Sequence, residues 1–206
     1  MKCVQGAALA LALLGAAPAF ALPVLSEVFY DAVGVDDGQS FIELYGAPGA
    51  SLDGLVIEGV NGADGAVTHT LTLAGSFGAD GLFVVADRTS AGTTQVGDAD
   101  LLLDFDFQNG PDSVVLRDAV SVLDSLGYGV FGATDVNAGE GAPAVDPPAG
   151  QSVARLFADV DTNDNAADFA GGAPTPGVAP LSVPEPATTA LLGIGLLGLV
   201  RIGRRP

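Results

Sequence analysis

Val67-Thr68-His69-Thr70-Leu71-Thr72-Leu73 alternates without a break: Val67, His69, Leu71 and Leu73 fall on one face and three threonines on the other. A period of two sustained over such a stretch is the pattern of a strand with one face on a core and one in water. The pattern returns downstream, where Leu101, Leu103, Phe105 and Phe107 interleave with Leu102, Asp104, Asp106 and Gln108. A chain built from such segments buries its apolar face by packing sheet against sheet.

Outward from these two stretches, Phe41-Ile42-Glu43-Leu44-Tyr45, Leu82-Phe83-Val84-Val85-Ala86 and Val114-Val115-Leu116 are short apolar runs bounded by Gly, Asp or Pro. Such bounds favour strands over helix segments. Asn61-Gly62, Asp80-Gly81 and Asn109-Gly110 mark turns. Residues 132–150 carry little periodicity and read as a long loop. The composition agrees: 29 glycines, no tryptophan and few Lys or Glu suit short strands and tight turns better than long helices. The expectation is an all-β, two-sheet sandwich or barrel.

The two ends read differently. Met1-Lys2, an apolar run over residues 7–16 and Ala19-Phe20-Ala21 make the basic start, short core and A-x-A site of a secretory signal peptide, with cleavage after Ala21. The only cysteine, Cys3, lies inside it, so the mature chain has neither a disulfide nor a thiol nucleophile. At the other end Val183-Pro184-Glu185-Pro186 precedes an apolar run, and Arg201, Arg204 and Arg205 follow. As a helix, residues 187–200 span about 21 Å against a hydrocarbon core of about 30 Å, a marginal anchor. The arginines keep to the cytoplasmic side and leave the domain outside.

The C-terminal arrangement resembles the PEP-CTERM sorting tail of bacterial exported proteins: a Pro-Glu-Pro motif, a short apolar helix and a basic end, in order. The resemblance implies recognition by an exosortase, a transpeptidase-like membrane enzyme that cuts near the motif and releases or transfers the protein. The organisation expected is a signal peptide over 1–21, a domain over 22–177, a linker over 178–186 and an apolar sorting helix with a basic end over 187–206. The protein would be held briefly at the inner membrane, then reach the cell surface or the medium.

The domain has a resemblance of its own. Leu25-Ser26-Glu27-Val28-Phe29-Tyr30-Asp31, then Asp37-Gly38-Gln39-Ser40-Phe41-Ile42-Glu43-Leu44, then Leu52-Asp53-Gly54-Leu55-Val56-Ile57 are similar to the opening of a lamin-tail domain. Gly81-Leu82-Phe83-Val84-Val85, Asn109-Gly110-Pro111-Asp112-Ser113-Val114-Val115-Leu116, Val122-Leu123-Asp124-Ser125-Leu126-Gly127-Tyr128-Gly129, Ser152-Val153-Ala154-Arg155 and Thr175-Pro176-Gly177 continue the series. Two positions depart from the family: its Trp is Leu55 here, and its Asn after the Ile-Glu-Leu triplet is Gly46. The resemblance implies an immunoglobulin-like β-sandwich, used in exported proteins for binding or adhesion, and no activity of its own.

All but one of the 25 acidic residues lie in this domain, against Arg88, Arg117 and Arg155. Such a surface repels nucleic acid and anionic lipid and attracts divalent cations. Asp159, Asp161, Asn163, Asn165 and Asp168 offer side-chain oxygens at the alternate spacing of the first half of an EF-hand loop. The match then ends, because Asp164 stands where that loop needs Gly and Ala170 where it needs Glu. The two readings are a nonstandard Ca²⁺ loop and an Asx-rich turn capping its own backbone. Glu27 and Glu43 invite a paired-carboxylate reading, but the sequence sets no separation between them. His69 is the only histidine, no G-x-S-x-G elbow occurs, and neither a Walker A sequence nor a dinucleotide fingerprint is present.

The expectation is therefore a non-enzymatic surface or extracellular-matrix protein that binds an envelope component or extracellular polysaccharide, with no cofactor apart from Ca²⁺ at residues 159–168. The alternative from another class is an exported metal-dependent hydrolase using those same acids. A third is a structural spacer.

Overall fold

The computed structural model describes residues 22–182. The signal stretch with Ala19 and Ala21, and the tail with Val183, Pro184, Glu185, Pro186 and the apolar helix, lie outside the described residues. No described helix is long and apolar enough to cross a membrane.

The described residues form ten strands: β1 (Val24–Phe29), β2 (Phe41–Tyr45), β3 (Val56–Asn61), β4 (Val67–Thr72), β5 (Leu82–Asp87), β6 (Leu101–Leu103), β7 (Asp112–Arg117), β8 (Val122–Tyr128), β9 (Ser152–Arg155) and β10 (Phe169–Gly172). A single helical turn, α1 (Asn165–Asp168), precedes β10. One sheet has the order β10-β9-β1-β2-β5-β6, the other β4-β3-β7-β8. Ladder neighbours are antiparallel except β5 and β6, which run parallel. Leu25, Val28, Ile42, Leu44, Val85 and Val153 from the larger sheet join Ile57, Leu71, Val114, Leu116 and Leu126 from the smaller one in a single apolar cluster. That shared interior makes the fold an all-β sandwich.

Strand β4 runs where the alternation places it, at the edge of the smaller sheet. Leu71 and Leu73 are buried, but Val67 stays about half exposed. The ladder between β3 and β4 shifts register at Gly59/Val60, so Val67 leaves the core just where the strand begins. The second alternating stretch keeps its burial pattern past the end of its ladder. Only residues 101–103 pair, yet Phe105 and Phe107 are buried while residues 104, 106 and 108 are exposed. The continuous apolar runs β1, β2 and β5 are buried on both faces. Their second face carries a smaller cluster of Phe29, Ala32, Phe41 and Val84, beside which Pro174 and Pro176 line a cleft.

Two glycines hold close approaches. At Gly62 a Cβ would lie 2.0 Å from the Pro111 carbonyl oxygen. At Gly46 it would lie 2.5 Å from the Phe77 ring, so the asparagine of the lamin-tail pattern has no room here. Leu55, in place of that pattern's tryptophan, is partly buried against the core.

Phe83 is 3% exposed and meets the Phe77 ring edge-on at 6.4 Å between centroids. Phe83→Ala should lower the unfolding free energy by about 3–5 kcal/mol, the range for a buried phenylalanine replaced by alanine. Denaturant titration of the two proteins measures it. A change near zero would mean that this ring contributes nothing to the shared core.

Candidate functional site

Strand β1 carries a bulge: its register against β2 shifts between Leu25 and Glu27, leaving Ser26 as the extra residue. A bulge frees backbone groups from the ladder, and buried ones need other partners. The Leu25 N–H donates to Asp124 Oδ2 at 2.6 Å, and the Leu25 carbonyl accepts from Arg155 Nε at 3.0 Å. Arg155 and Asp124 meet each other at 2.9 Å, and both side chains are fully buried. Arg155 stands on β9 in the larger sheet and Asp124 on β8 in the smaller, so the pair ties one sheet to the other.

The rest of the guanidinium is equally engaged. Nη1 donates to Asp168 Oδ2 at 2.9 Å, to the Val160 carbonyl at 3.1 Å and to Asp161 Oδ1 at 3.4 Å. The group lies 4.5 Å from the centroid of the Phe169 ring. Asp168 also accepts from the Thr162 N–H and hydroxyl. One cation thus organises the whole segment between β9 and β10.

This accounts for residues 159–168, whose five candidate ligands do not come together as a calcium loop. Asp159 accepts from the Ser182 N–H and hydroxyl, both at 2.6 Å. Asp168 is taken by Arg155 and Thr162. Asn165 is fully buried; its oxygen accepts from the Gly127 and Glu140 N–H groups and its nitrogen donates to the Ser125 carbonyl. Asp161 accepts from the Asn163 N–H, and Asn163 itself sits at φ 57°. Asp164 caps α1 by accepting from Ala166 N–H. The Asx-turn reading describes this backbone. Alternating oxygens fail to converge because a buried arginine and local N–H groups claim them first.

Among the described residues, one group of three acidic side chains places an oxygen of each within 4.8 Å of the other two: Asp124, Glu140 and Asp161. Asp161 is the single member drawn from the expected loop. Asp124 Oδ1 and Glu140 Oε2 are buried without a hydrogen-bond partner. Burial, reinforced by the carboxylates of Asp124 and Asp161 and opposed by Arg155, pushes Glu140 up to about 7. Burial raises Asp124 as well, against the pull of Arg155 and the Leu25 N–H.

Glu27 and Glu43, whose separation the sequence left open, are direct cross-strand partners on β1 and β2, both buried. Both have donors already in place. Glu27 accepts from the Ser152 hydroxyl and from the Thr175 N–H and hydroxyl. Glu43 accepts from the Ser26 hydroxyl and the Gly177 N–H, each at 2.7 Å. Burial raises the Glu43 carboxyl and these two donors lower it. The pair therefore pins the closing Thr175-Pro176-Gly177 segment across the sheet. The Ala158 N–H adds a bond to the Pro180 carbonyl, so attachment runs past residue 177 to Ser182. His69 is partly buried, edge-on to Phe107 at 5.7 Å.

Another acidic cleft, of about 280 Å³, is lined by Asp36, Asp37, Asp87, Asp104 and Asp106. Two of these acids already serve the fold: Asp87 accepts from the Gly38 and Phe105 N–H groups, and Asp36 from the Ala32 N–H.

The last described residue, Ser182, is also the first residue of a family match. Residues 182–205 match the model for the PEP-CTERM protein-sorting motif. The chain carries an exosortase sorting signal. That signal marks an exported, envelope-directed protein processed by an exosortase. The match does not reach the sandwich, and no curated protein or solved structure matches the chain.

Glu140 supplies a test of the acidic group. Its carboxyl holds a proton more tightly in the folded state than at its ordinary value of 4.5. The stability this contributes is complete below that value and is lost as pH rises through about 7. In buffer with EDTA, urea unfolding should show the protein weakening over that window, and Glu140→Gln should flatten the loss. An unchanged slope in the variant would place the titrating group elsewhere.

Proposed function

We propose that the protein is a non-enzymatic surface or matrix component, in which the sandwich is the delivered cargo and the tail is its address. One observation carries this reading. The buried carboxylate pair that looked most like a catalytic device, Glu27 and Glu43, is used to pin residues 175–177. A carboxylate whose oxygens already accept from fixed backbone and hydroxyl donors is poorly placed to take up and release a substrate proton. The lamin-tail resemblance supports the same reading through its sandwich architecture. The acidic surface favours a polysaccharide or envelope partner over nucleic acid.

The second part of the proposal is transient anchoring. The apolar tail is short for a permanent span. Pro184 and Pro186 are residue types that disfavour helix at and before them, which suits a junction offered to a processing enzyme. Asp159 fastens Ser182 to the domain, so the motif follows directly on a fixed point.

Intact mass of the protein from its own cells should show loss of residues beyond about Pro186, with the Arg201, Arg204 and Arg205 cluster gone. Glu185→Ala should remain in the membrane at full length. A native protein that stays membrane-embedded with those arginines intact would overturn the transient anchor.

A further inference from the structure

We propose that Asp124, Glu140 and Asp161 bind a Ca²⁺ ion at the seam between the two sheets, at a site that shares only Asp161 with the alternating 159–168 series and is independent of the adhesion reading.

The three residues come from distant parts of the chain: β8, the long loop before β9, and the segment before α1. Folding brings one oxygen of each within 4.8 Å of the others, a span that two Ca–O bonds of about 2.4 Å would bridge. An acidic group alone would mean little on so acidic a protein. Here a second observation points to a ligand. Asp124 is fully buried, its Oδ2 is taken by Leu25 and Arg155, and the oxygen it still has to offer, Oδ1, has no donor. Glu140 Oε2 is buried and lacks a donor as well. Two orphaned carboxylate oxygens in one group are costly unless something positive meets them.

Charge points the same way. Asp124, Asp161, Asp168 and Glu140 surround one guanidinium, so Arg155 leaves the cluster with an excess of negative charge. Arg155 is fixed by the Leu25 carbonyl on one side and by Asp168 on the other, and is not aimed at the orphaned oxygens. A hard divalent cation with oxygen ligands fits that deficit, and waters would complete its shell. Asp161 is exposed and also lines a cleft of about 200 Å³ with Leu22, Leu123 and Asp159, so one member of the group is open to solvent. An exported protein meets the calcium levels at which extracellular modules bind, about 10⁻⁴–10⁻³ M.

The test is calcium titration of the full chain in detergent, stripped with EDTA, at ionic strength held constant with KCl. We expect saturable binding of one equivalent and a melting temperature that climbs as Ca²⁺ passes its dissociation constant. Glu140→Gln should abolish both, Asp161→Asn should weaken binding at least about tenfold (about 1.4 kcal/mol), and Asp159→Ala should bind as wild type. If Glu140→Gln does not fold, the exposed Asp161→Asn decides. A response no greater than KCl gives would overturn the site and mean that a proton holds Glu140. Retained binding in Glu140→Gln with loss in Asp159→Ala would overturn it in favour of the 159–168 loop.

Discussion

A buried guanidinium needs acceptors for its donors, and Arg155 finds five of them on four different segments. Its partners are the bulged backbone of β1, Asp124 on β8, the Val160 carbonyl, Asp161, and Asp168 at the end of α1. Apolar packing brings two sheets together but leaves their relative placement loosely specified. A fork of directed, charge-assisted bonds is less forgiving. The β1 bulge is part of the same constraint: Leu25 stays in register with Leu44, and because β9 pairs only with Glu27 and Val28, Asp124 and Arg155 take the Leu25 N–H and carbonyl. Isolated from one another these groups would each be costly to bury; assembled, they satisfy one another.

The same logic governs how the chain leaves the domain. Residues 175–177 lie over the outer face of the larger sheet, where Phe29 and Phe41 would otherwise meet solvent. Pro174 and Pro176 border the cleft beside that surface, and Glu27 and Glu43 fix the segment in place. Asp159 then holds Ser182, where the sorting signal begins. The Arg155 segment ends close to this point, because Asp159 belongs to the loop that Arg155 organises. Packing at the sheet seam and presentation of the tail are therefore physically continuous.

Much of the fold was legible because it rests on local pattern. Alternation at 67–73 and the bounded runs at 41–45, 82–86 and 114–116 fell on strands, and 132–150 is the long connection expected. The alternation at 101–108 overstated its ladder, since burial follows side-chain period while pairing needs a neighbour, and β5 lies alongside for three residues. The candidate site was far less legible. Asp124, Glu140 and Arg155 are separated along the chain, and no spacing rule joins them. Two signals were present: an acid inside the apolar strand Val122-Leu123-Asp124-Ser125-Leu126, and a rare arginine after Val153-Ala154. An opposite-charge pair inside apolar strands is the mark of a buried ion pair. Glu140, between two glycines, carried no signal at all. The oxygens of 159–168 misled because their spacing is that of an Asx turn as much as of a metal loop.

The claim on which the rest stands is that Arg155 and Asp124 act as one unit joining the sheets. A double-mutant cycle with Arg155→Met and Asp124→Asn, read by denaturant unfolding, tests it directly. Each single change should cost about 3–5 kcal/mol, because each strands a buried partner. The double variant should lose less than the sum of the two by at least about 1 kcal/mol. Losses that add to within about 0.5 kcal/mol would contradict the account, since residues that do not share an interaction behave that way.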